Sequence, residues 1–280
     1  MPIRIVTDST SDLSQQLIDR YRITVIPNIL VIDGNTYQDG KDISREAFYQ
    51  RLADLTILPT TGTASSRKYE EVYTQLIAGG ADHILSIHAA STLTGNYSTA
   101  RAAAASFQGR VTVVDSSQLS YGLGFQVLAA AEAVEKSDNI ELALHQVDIT
   151  RRDVRVFALF DTLKFLQRSG RISQARFHIA SLLQIRPLIE LKNGQVINRG
   201  EYRTRKRSTQ QLCDRLETLG KLKNLVILHT NAEMEAIDML NKYACGVSGH
   251  VGVCNVTTVI GTHVGPNALG FAAVVHDLSH

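Results

Sequence analysis

The segment IRIVTDSTSDLSQQLI, Ile3–Ile18, contains the pattern that decides the fold. Its β-branched run, Ile3–Thr7, predicts a strand, and the apolar residues of Leu13–Ile18 are spaced for one face of a helix. A polar loop of Asp, Ser and Thr, residues 8–12, lies between them. The segment therefore predicts a strand, a loop and a helix in that order, which is the unit from which parallel sheets are built.

The same alternation continues through the first half of the chain. Apolar periodicity predicts strands at Ile23–Ile32, His83–Ile87 and Val111–Val114, and helices at Ser44–Leu55, Lys68–Ala78, Tyr97–Phe107 and Gly122–Lys136. Strands that alternate with helices favour a mostly parallel sheet covered by helices on both faces. We therefore predict an α/β domain over residues 1–155.

The second half combines strands and helices in a different order. Helices are predicted at Ile140–Arg152, Thr162–Gln167, Ser208–Leu219 and Ala232–Tyr243, and strands at Pro187–Lys192, Gln195–Arg199, Leu225–His229 and Val253–Ile260. Asn193-Gly194 between two of these strands is typical of a tight hairpin. We predict a second α/β domain over residues 156–280, with the boundary between Thr150 and Ala158.

The composition is that of a globular protein. The chain has 280 residues, of which 44% are hydrophobic, and a formal net charge of +2, so the chain as a whole does not resemble a nucleic-acid binder. The three cysteines, Cys213, Cys245 and Cys254, lack metal-site spacing, which predicts a reducing compartment without a disulfide framework. No run approaches the roughly 20 apolar residues of a membrane span. We expect a cytoplasmic protein without stable membrane insertion.

Common catalytic motifs are absent from the sequence. It has neither G-x-x-x-x-G-K-[ST] nor G-x-G-x-x-G, so it offers no recognisable loop for a nucleotide phosphate. Its nine histidines show no H-E-x-x-H or paired spacing that predicts zinc, and we expect no metal and no cofactor. Without a G-x-S-x-G elbow, a serine hydrolase needs an unconventional triad of Ser91, His263 and either Asp8 or Asp115, and this alternative stays open.

Hydroxyl side chains are concentrated in two loops that follow predicted strands or turns. Thr60 and Thr61 lie in ILPTTGTAS, and Ser91 and Thr94 lie in the loop after His83–Ile87. Loops at the carboxyl ends of parallel strands meet at one edge of the sheet, so these hydroxyls are candidates for holding an anionic oxygen. Glycines beside them, Gly62 and Gly95, give a ligand room to approach the backbone. The alternative is that each hydroxyl caps its own turn.

Acidic residues at the first strand-to-helix junction have a structural interpretation. Asp8, Ser11 and Asp12 stand where Asp and Ser commonly cap a helix. An aspartyl-phosphate site of the D-x-D kind needs a carboxylate two residues after Asp8, where Thr10 stands instead. We expect these residues to scaffold the loop.

A histidine in the C-terminal region is a further candidate. His263 lies in IGTHVGPNALG, residues 260–270, after a predicted apolar strand, with Gly265 and Pro266 following it. We expect these residues to hold His263 in a fixed loop beyond the strand, which is unusual for a core-packing side chain.

Two basic segments remain. The run Arg203–Arg207 is predicted to be a solvated face, a docking patch for an acidic protein or, as a third alternative, a nucleic-acid contact. In RSGRIS, residues 168–173, Gly170 is placed to cap a helix and Arg171 to reach an acid. Both segments are therefore either structural or partner-facing.

Seven segments in order resemble the DegV family of bacterial fatty-acid-binding proteins, the binding subunits of fatty acid kinase. They are VTDSTSDL from Val6, PTTGTAS from Pro59, STLTGNYSTA from Ser91, VVDSSQLSYGLG from Val113, LKFLQRSGRIS from Leu163, RTRKRS from Arg203 and GTHVGPNALG from Gly261. The resemblance covers nearly the whole chain. It implies a two-domain DegV-type α/β fold.

The resemblance also implies a function. It implies that a long-chain fatty acid, such as palmitate, stearate or oleate, lies between the two domains. Its carboxylate is then held by Thr61, Ser91 and His263 with Thr60 nearby, on loops supported by Gly62, Thr94, Gly95 and Gly265. A separate ATP-dependent kinase then forms the acyl phosphate, and the protein itself is not an enzyme. The positions that match the kinase-facing set are Arg171, Arg203, Arg205 and Lys206.

The sequence departs from the family pattern at two places in these motifs. Gly62-Thr63 replaces the usual Ser-Gln, and Asn267 replaces a usual glycine. Asn tolerates a left-handed backbone better than most residues, so we expect the loop at Asn267 to keep its shape.

Overall fold

The computed structural model describes residues 2–52, 55–170 and 185–276. The strands are β1 Ile3–Asp8, β2 Thr24–Ile26, β3 Ile29–Ile32, β4 Asn35–Gln38, β5 Thr60–Gly62, β6 His83–His88, β7 Val111–Asp115, β8 Val154–Leu159, β9 Arg186–Lys192, β10 Gln195–Tyr202, β11 Leu222–His229, β12 Val251–Asn255 and β13 Leu269–Val275. The helices are α1 Gln15–Arg20, α2 Arg45–Leu52, α3 Ser66–Ala78, α4 Asn96–Ala104, α5 Tyr121–Ser137, α6 Ile140–Asp153, α7 Lys164–Arg168, α8 Arg205–Glu217, α9 Glu233–Tyr243 and α10 Thr258–Val264. None of these helices is long and apolar enough to cross a membrane.

The first compact unit comprises residues 1–29 and 62–152. Its described strands form a parallel sheet in the order β2-β1-β6-β7. Nearly every residue of β1 and β6 is buried, as expected for parallel strands whose two faces are both covered. Val6 and Ile84 pack in one core with Tyr69 and Tyr73 of α3 and with the small Ala100 of α4. The predicted parallel α/β arrangement is confirmed.

The second unit comprises residues 30–61 and 153–280. Its larger sheet has the order β10-β9-β8-β13-β11-β12 among the described strands, and only β11 and β12 pair in parallel. The hairpin predicted at Asn193-Gly194 joins β9 to β10, and both turn residues have the positive φ that this turn requires. The sequence analysis did not predict β8 and β13, which form the middle of this sheet.

The observed units differ from the predicted domains, which were continuous at 1–155 and 156–280. Residues 30–61 lie in the second unit, not in the first. The segment carries the smaller sheet β4-β3-β5 and helix α2. Leu30, Phe48 and Tyr49 pack in one core with Phe165 of α7, so this part of the N-terminal half belongs to the second unit. The predicted strand at 23–32 is therefore two strands in different sheets, interrupted at Pro27, which lacks a backbone donor.

The predicted strand at Val253–Ile260 is also wrong in its second half. Strand β12 ends at Asn255, and helix α10 begins at Thr258 although the segment Val256–Ile260 is rich in β-branched residues. The hydroxyls of Thr257 and Thr258 donate to the buried carboxylate of Asp39, which fixes the chain for a helix. Tertiary contacts therefore override the strand propensity of this segment.

Candidate functional site

Two threonines of PTTGTAS, Thr60 and Thr61, lie on a short strand. Thr60, Thr61 and Gly62 form β5, which pairs with β3 in the small sheet of the second unit. Thr60 is exposed, Thr61 is half-buried, and Pro59 before them is buried. The expected loop is thus an edge strand that presents two neighbouring hydroxyls on opposite faces.

Thr61 and His263 are in direct contact within the second unit. The Oγ1 atom of Thr61 lies 2.9 Å from Nε2 of His263, although 202 positions separate the two residues in the sequence. His263 is half-buried in the last turn of α10, and not in a loop after a strand as the sequence analysis expected. The structure therefore joins two of the predicted site residues, one from each of two separate motifs.

The N-terminal end of α10 is fixed by polar residues from the 30–61 segment. Asp39, which is 4% exposed, accepts hydrogen bonds from Thr257 and Thr258, the latter over 2.6 Å. The hydroxyl of Tyr49 donates to the carbonyl of Val256 at 3.0 Å. The Tyr49 ring also lies against Gly261, where an added Cβ would come within 2.3 Å of the phenol oxygen. Gly261 is therefore required for the approach of α2 to α10.

The C-terminal end of α10 is fixed by Thr230. The Thr230 hydroxyl donates to the carbonyl of Gly265 and accepts from the amide of Ala268, both at 2.7 Å. Gly265 ends the helix with φ of +79°, and a Cβ there would lie 2.2 Å from the ring of Phe165. Asn267 adopts φ of +60°, a left-handed conformation that asparagine tolerates better than most residues.

Sequence reasoning missed both anchors of α10. Thr230 directly follows β11, so the rule that selected hydroxyls at strand ends would have found it. Asp39 also follows a strand directly, β4, but it carries no hydroxyl, and its partners Thr257 and Thr258 lie more than 200 positions away in the sequence.

The Ser91 loop belongs to the first unit. Ser91 is exposed, and its amide lies 3.3 Å from each carboxylate oxygen of Asp115 at the end of β7. The Thr94 hydroxyl accepts from the amide of Asn96, the first residue of α4, at 3.3 Å. A Cβ on Gly95 would lie 3.4 Å from Cγ2 of Thr63, so Thr63 packs against this loop. Thr94 and Gly95 therefore have structural roles here, whereas Ser91 presents its hydroxyl at the surface.

Asp8 has the scaffolding position that the sequence analysis assigned to it. Its carboxylate is completely buried and accepts from Nδ1 of His88 at 2.9 Å and from the Ala89 amide at 3.1 Å. Burial raises the pKa of Asp8, but the hydrogen bond and charge of His88, with the bonds from Thr10 and Ala89, outweigh it and lower the pKa below its usual value. His88, which the sequence analysis did not select, thus holds Asp8 at the start of the Ser91 loop.

These contacts bear on the hydrolase alternative. The Asp8 carboxylate is used by His88, and the Asp115 carboxylate faces the Ser91 amide. Neither contact is the carboxylate-to-His263 hydrogen bond that a serine triad needs.

The predicted partner-facing residues differ in their surroundings. Arg203 and Lys206 are exposed, whereas Arg205 is half-buried. Arg205 donates to a carboxylate oxygen of Glu235 at 2.9 Å and to the carbonyl of Asn267 at 2.8 Å. Arg171 lies outside the described residues.

Comparisons with known proteins agree with this fold. The DegV family model matches residues 2–276, and the chain belongs to the DegV family. A DegV domain-containing protein of Staphylococcus aureus is 33% identical over 276 residues, which are 96% of this chain and 98% of that protein. A counterpart from Deinococcus radiodurans is 30% identical over 97% of this chain and 98% of its own length.

Two solved structures combine a similar fold with a known ligand class. A DegV family protein of Thermus thermophilus, described for its fatty acid binding, has a TM-score of 0.91 and 32% identity over 99% of this chain and 100% of its own. DegV of Bacillus subtilis, described as a fatty acid binding protein, has a TM-score of 0.89 and 28% identity over 99% of this chain and 100% of its own. Similar members of the family thus bind fatty acids.

Proposed function

We propose that this protein binds a long-chain fatty acid and holds its carboxylate at the Thr61–His263 pair. The observation that carries the proposal is the 2.9 Å contact between Thr61 Oγ1 and His263 Nε2. It brings together two residues that the DegV resemblance assigns to the carboxylate. The fatty-acid-binding relatives from T. thermophilus and B. subtilis support the ligand class.

The pair has suitable chemistry for a carboxylate. A threonine hydroxyl carries one donor hydrogen and two acceptor lone pairs, so Thr61 can accept from an Nε2–H of His263 and donate its own hydrogen to the ligand. Donation by the imidazole polarises the hydroxyl and strengthens its bond to an anionic oxygen. Such bonds to a charged group contribute about 1.5–3 kcal/mol each. They fix the orientation of the carboxylate and compensate its desolvation.

Other predicted residues complete the proposal. We assign Ser91 and Thr60 further hydrogen bonds to the carboxylate, and Gly62 the space beside it. These assignments rest on the family resemblance and on the exposure of the Ser91 and Thr60 side chains.

The hydrocarbon tail supplies most of the affinity in this proposal. Burial of about 12 methylenes at about 0.8 kcal/mol each contributes on the order of 10 kcal/mol before the cost of immobilising the chain. Palmitate, stearate and oleate are long enough to provide this burial. The tail therefore provides affinity, and the polar pair provides recognition of the acid.

A partner supplies the chemistry in this proposal. We assign acyl-phosphate formation to a separate fatty acid kinase in the cytoplasm, with Arg171, Arg203, Arg205 and Lys206 facing it. The sequence has no nucleotide-phosphate loop of its own, and exposed cations are suited to an acidic protein surface.

Replacement of His263 tests the carboxylate assignment. Calorimetric titration of delipidated protein with oleate should give about a tenfold weaker affinity for His263→Gln, because the Thr61 hydroxyl loses the imidazole donor that strengthens its hydrogen bond to the carboxylate. His145→Gln, on the exposed face of α6, is the matched control and should bind as the wild type does. Equal oleate affinity in the wild type and His263→Gln removes His263 from the site.

The same preparations test the hydrolase alternative. Acyl esters should not be turned over by the wild-type protein. Turnover that is lost in Ser91→Ala contradicts the carrier assignment.

A further inference from the structure

We propose that Arg205 is a positioning residue for His263, through the loop of residues 265–268, and not only a surface cation for a partner. This loop is called the clamp loop below. The inference rests on the proposed function in one respect, which is that the Thr61–His263 pair binds the ligand.

Arg205 contacts two other groups of its own unit, near the surface of that unit. Its Nε and one terminal nitrogen each lie 2.9 Å from the same carboxylate oxygen of Glu235, on α9. The other terminal nitrogen donates to the backbone carbonyl of Asn267 at 2.8 Å. The side chain is 23% exposed. Arg203 and Lys206 beside it are exposed residues, so Arg205 differs from its neighbours in the same basic segment.

Asn267 links Arg205 to the end of α10. The Asn267 amide donates to the carbonyl of Thr230 at 2.6 Å while its own carbonyl accepts from Arg205. The Thr230 hydroxyl in turn joins Gly265 to Ala268, at the two ends of the clamp loop. The left-handed residue Asn267 is therefore held at its amide by Thr230 and at its carbonyl by Arg205.

The clamp loop starts two residues after His263. The Gly265 amide donates to the carbonyl of Gly261 at 2.8 Å and closes the turn that carries His263. A shift of Gly265 moves this last turn, and with it the distance between Nε2 of His263 and Oγ1 of Thr61. Hydrogen bonds weaken steeply as their distance and angle depart from the optimum. A small displacement of His263 therefore changes the strength of its hydrogen bond to Thr61.

An arginine suits this position better than a lysine. The planar guanidinium directs donors to Glu235 and to the Asn267 carbonyl at the same time, whereas an ammonium group is a single point charge. The contact also joins the segment proposed to face the kinase to the histidine proposed to face the ligand. An acidic partner group that competes with Glu235 for Arg205 would therefore act on His263 through the clamp loop.

The test uses the full-length, ligand-free protein labelled with ¹⁵N in its histidines. Imidazole nitrogen shifts of His263, assigned by their loss in His263→Gln, report its hydrogen bonding. Arg205→Met should change these shifts, Arg205→Lys should change them less, and Arg207→Met on the exposed face of α8 should leave them as in the wild type. Cooperative thermal unfolding confirms that each variant is folded. If Arg205→Met does not fold, the His263 shifts of Arg205→Lys decide the test.

A second measurement connects the positioning role to the ligand. Oleate affinity should fall about fivefold in Arg205→Met, which corresponds to about 1 kcal/mol, and should be unchanged in Arg207→Met. Unchanged His263 shifts in both folded Arg205 variants overturn the inference. If wild-type protein binds no oleate, the proposed function fails, while the shifts in ligand-free protein still decide the role of Arg205.

Discussion

At the residue scale, the Thr61–His263 contact joins two motifs that each have little meaning alone. A threonine in a polar turn most often caps that turn, and a lone histidine is most often structural. Their 2.9 Å separation brings the two motifs together, and the proposed carboxylate site rests on this contact. The residue types were available from the sequence, but the contact depends on the pairing of β5 and on the position of α10.

Two replacements of Thr61 distinguish the contribution of its hydroxyl to binding from that of its shape. Thr61→Val should weaken oleate binding about tenfold, since it removes a hydrogen bond to a charged group, and Thr61→Ser should restore most of the affinity. Thr56→Val, at an exposed threonine nearby, is the control. Calorimetry of the delipidated variants measures the effect, and equal affinities for Thr61→Val and wild type would remove the hydroxyl from the account.

The buried Asp8–His88 pair predicts a dependence of stability on pH. The folded pKa of Asp8 is lower than its ordinary value, so the ionised carboxylate stabilises the protein above the unfolded pKa of about 3.9. This contribution is lost as the pH falls through the folded pKa. Asp8→Asn should lower the free energy of unfolding by at least about 2 kcal/mol at pH 7, because it leaves the buried His88 without its carboxylate.

Urea titrations at several pH values check this dependence. The difference between wild type and Asp8→Asn should narrow as the pH falls from about 4.5 towards 3. Asp33→Asn, at an exposed aspartate, controls for a general effect of charge. A difference that keeps growing below about pH 4.5 would contradict the assigned direction of the Asp8 pKa.

At the element scale, α10 shows why the sequence alone predicts the fold only in part. The repeated strand-loop-helix units of the first unit have local periodicity, so β1, β6 and β7 were predicted nearly at their observed bounds. The segment Val256–Ile260 has the composition of a strand, and contacts with Asp39 and Tyr49 make part of it a helix. Contacts between residues some 200 positions apart leave no periodic pattern.

The anchor of α10 predicts a loss of stability in Asp39→Asn. The amide retains one acceptor oxygen, but its NH₂ group faces a threonine hydroxyl where a carboxylate oxygen accepted before. We expect the free energy of unfolding to fall by about 1–3 kcal/mol, measured by urea denaturation. A stability equal to that of wild type would show that Asp39 does not anchor α10.

The close approach of Tyr49 predicts a similar result for Gly261→Ala. The new Cβ would lie 2.3 Å from the Tyr49 hydroxyl oxygen, so the ring must move away from α10. Overpacking of this kind costs about 1–3 kcal/mol, and the higher helix propensity of alanine offsets part of it. Gly252→Ala, where the nearest atom is 3.8 Å away, is the control, and thermal denaturation compares the two variants.

At the scale of the whole molecule, the chain crosses between its two units more often than the single boundary predicted from the sequence. Residues 30–61 leave the first unit, build part of the second and return at Gly62. The predicted boundary near residue 155 agrees with the later crossing at residues 152–153, but no composition change marks the earlier ones. Residues 30–61 contribute Asp39 and Tyr49, which anchor α10, and Thr61, which contacts His263.

The central claim is that the protein binds a long-chain fatty acid. Native mass spectrometry of the purified full-length protein, before and after delipidation and addition of oleate, tests it most directly. We expect an adduct with the mass of one long-chain fatty acid, which delipidation removes and oleate restores. A protein that carries no such adduct and takes up neither oleate nor palmitate would contradict it.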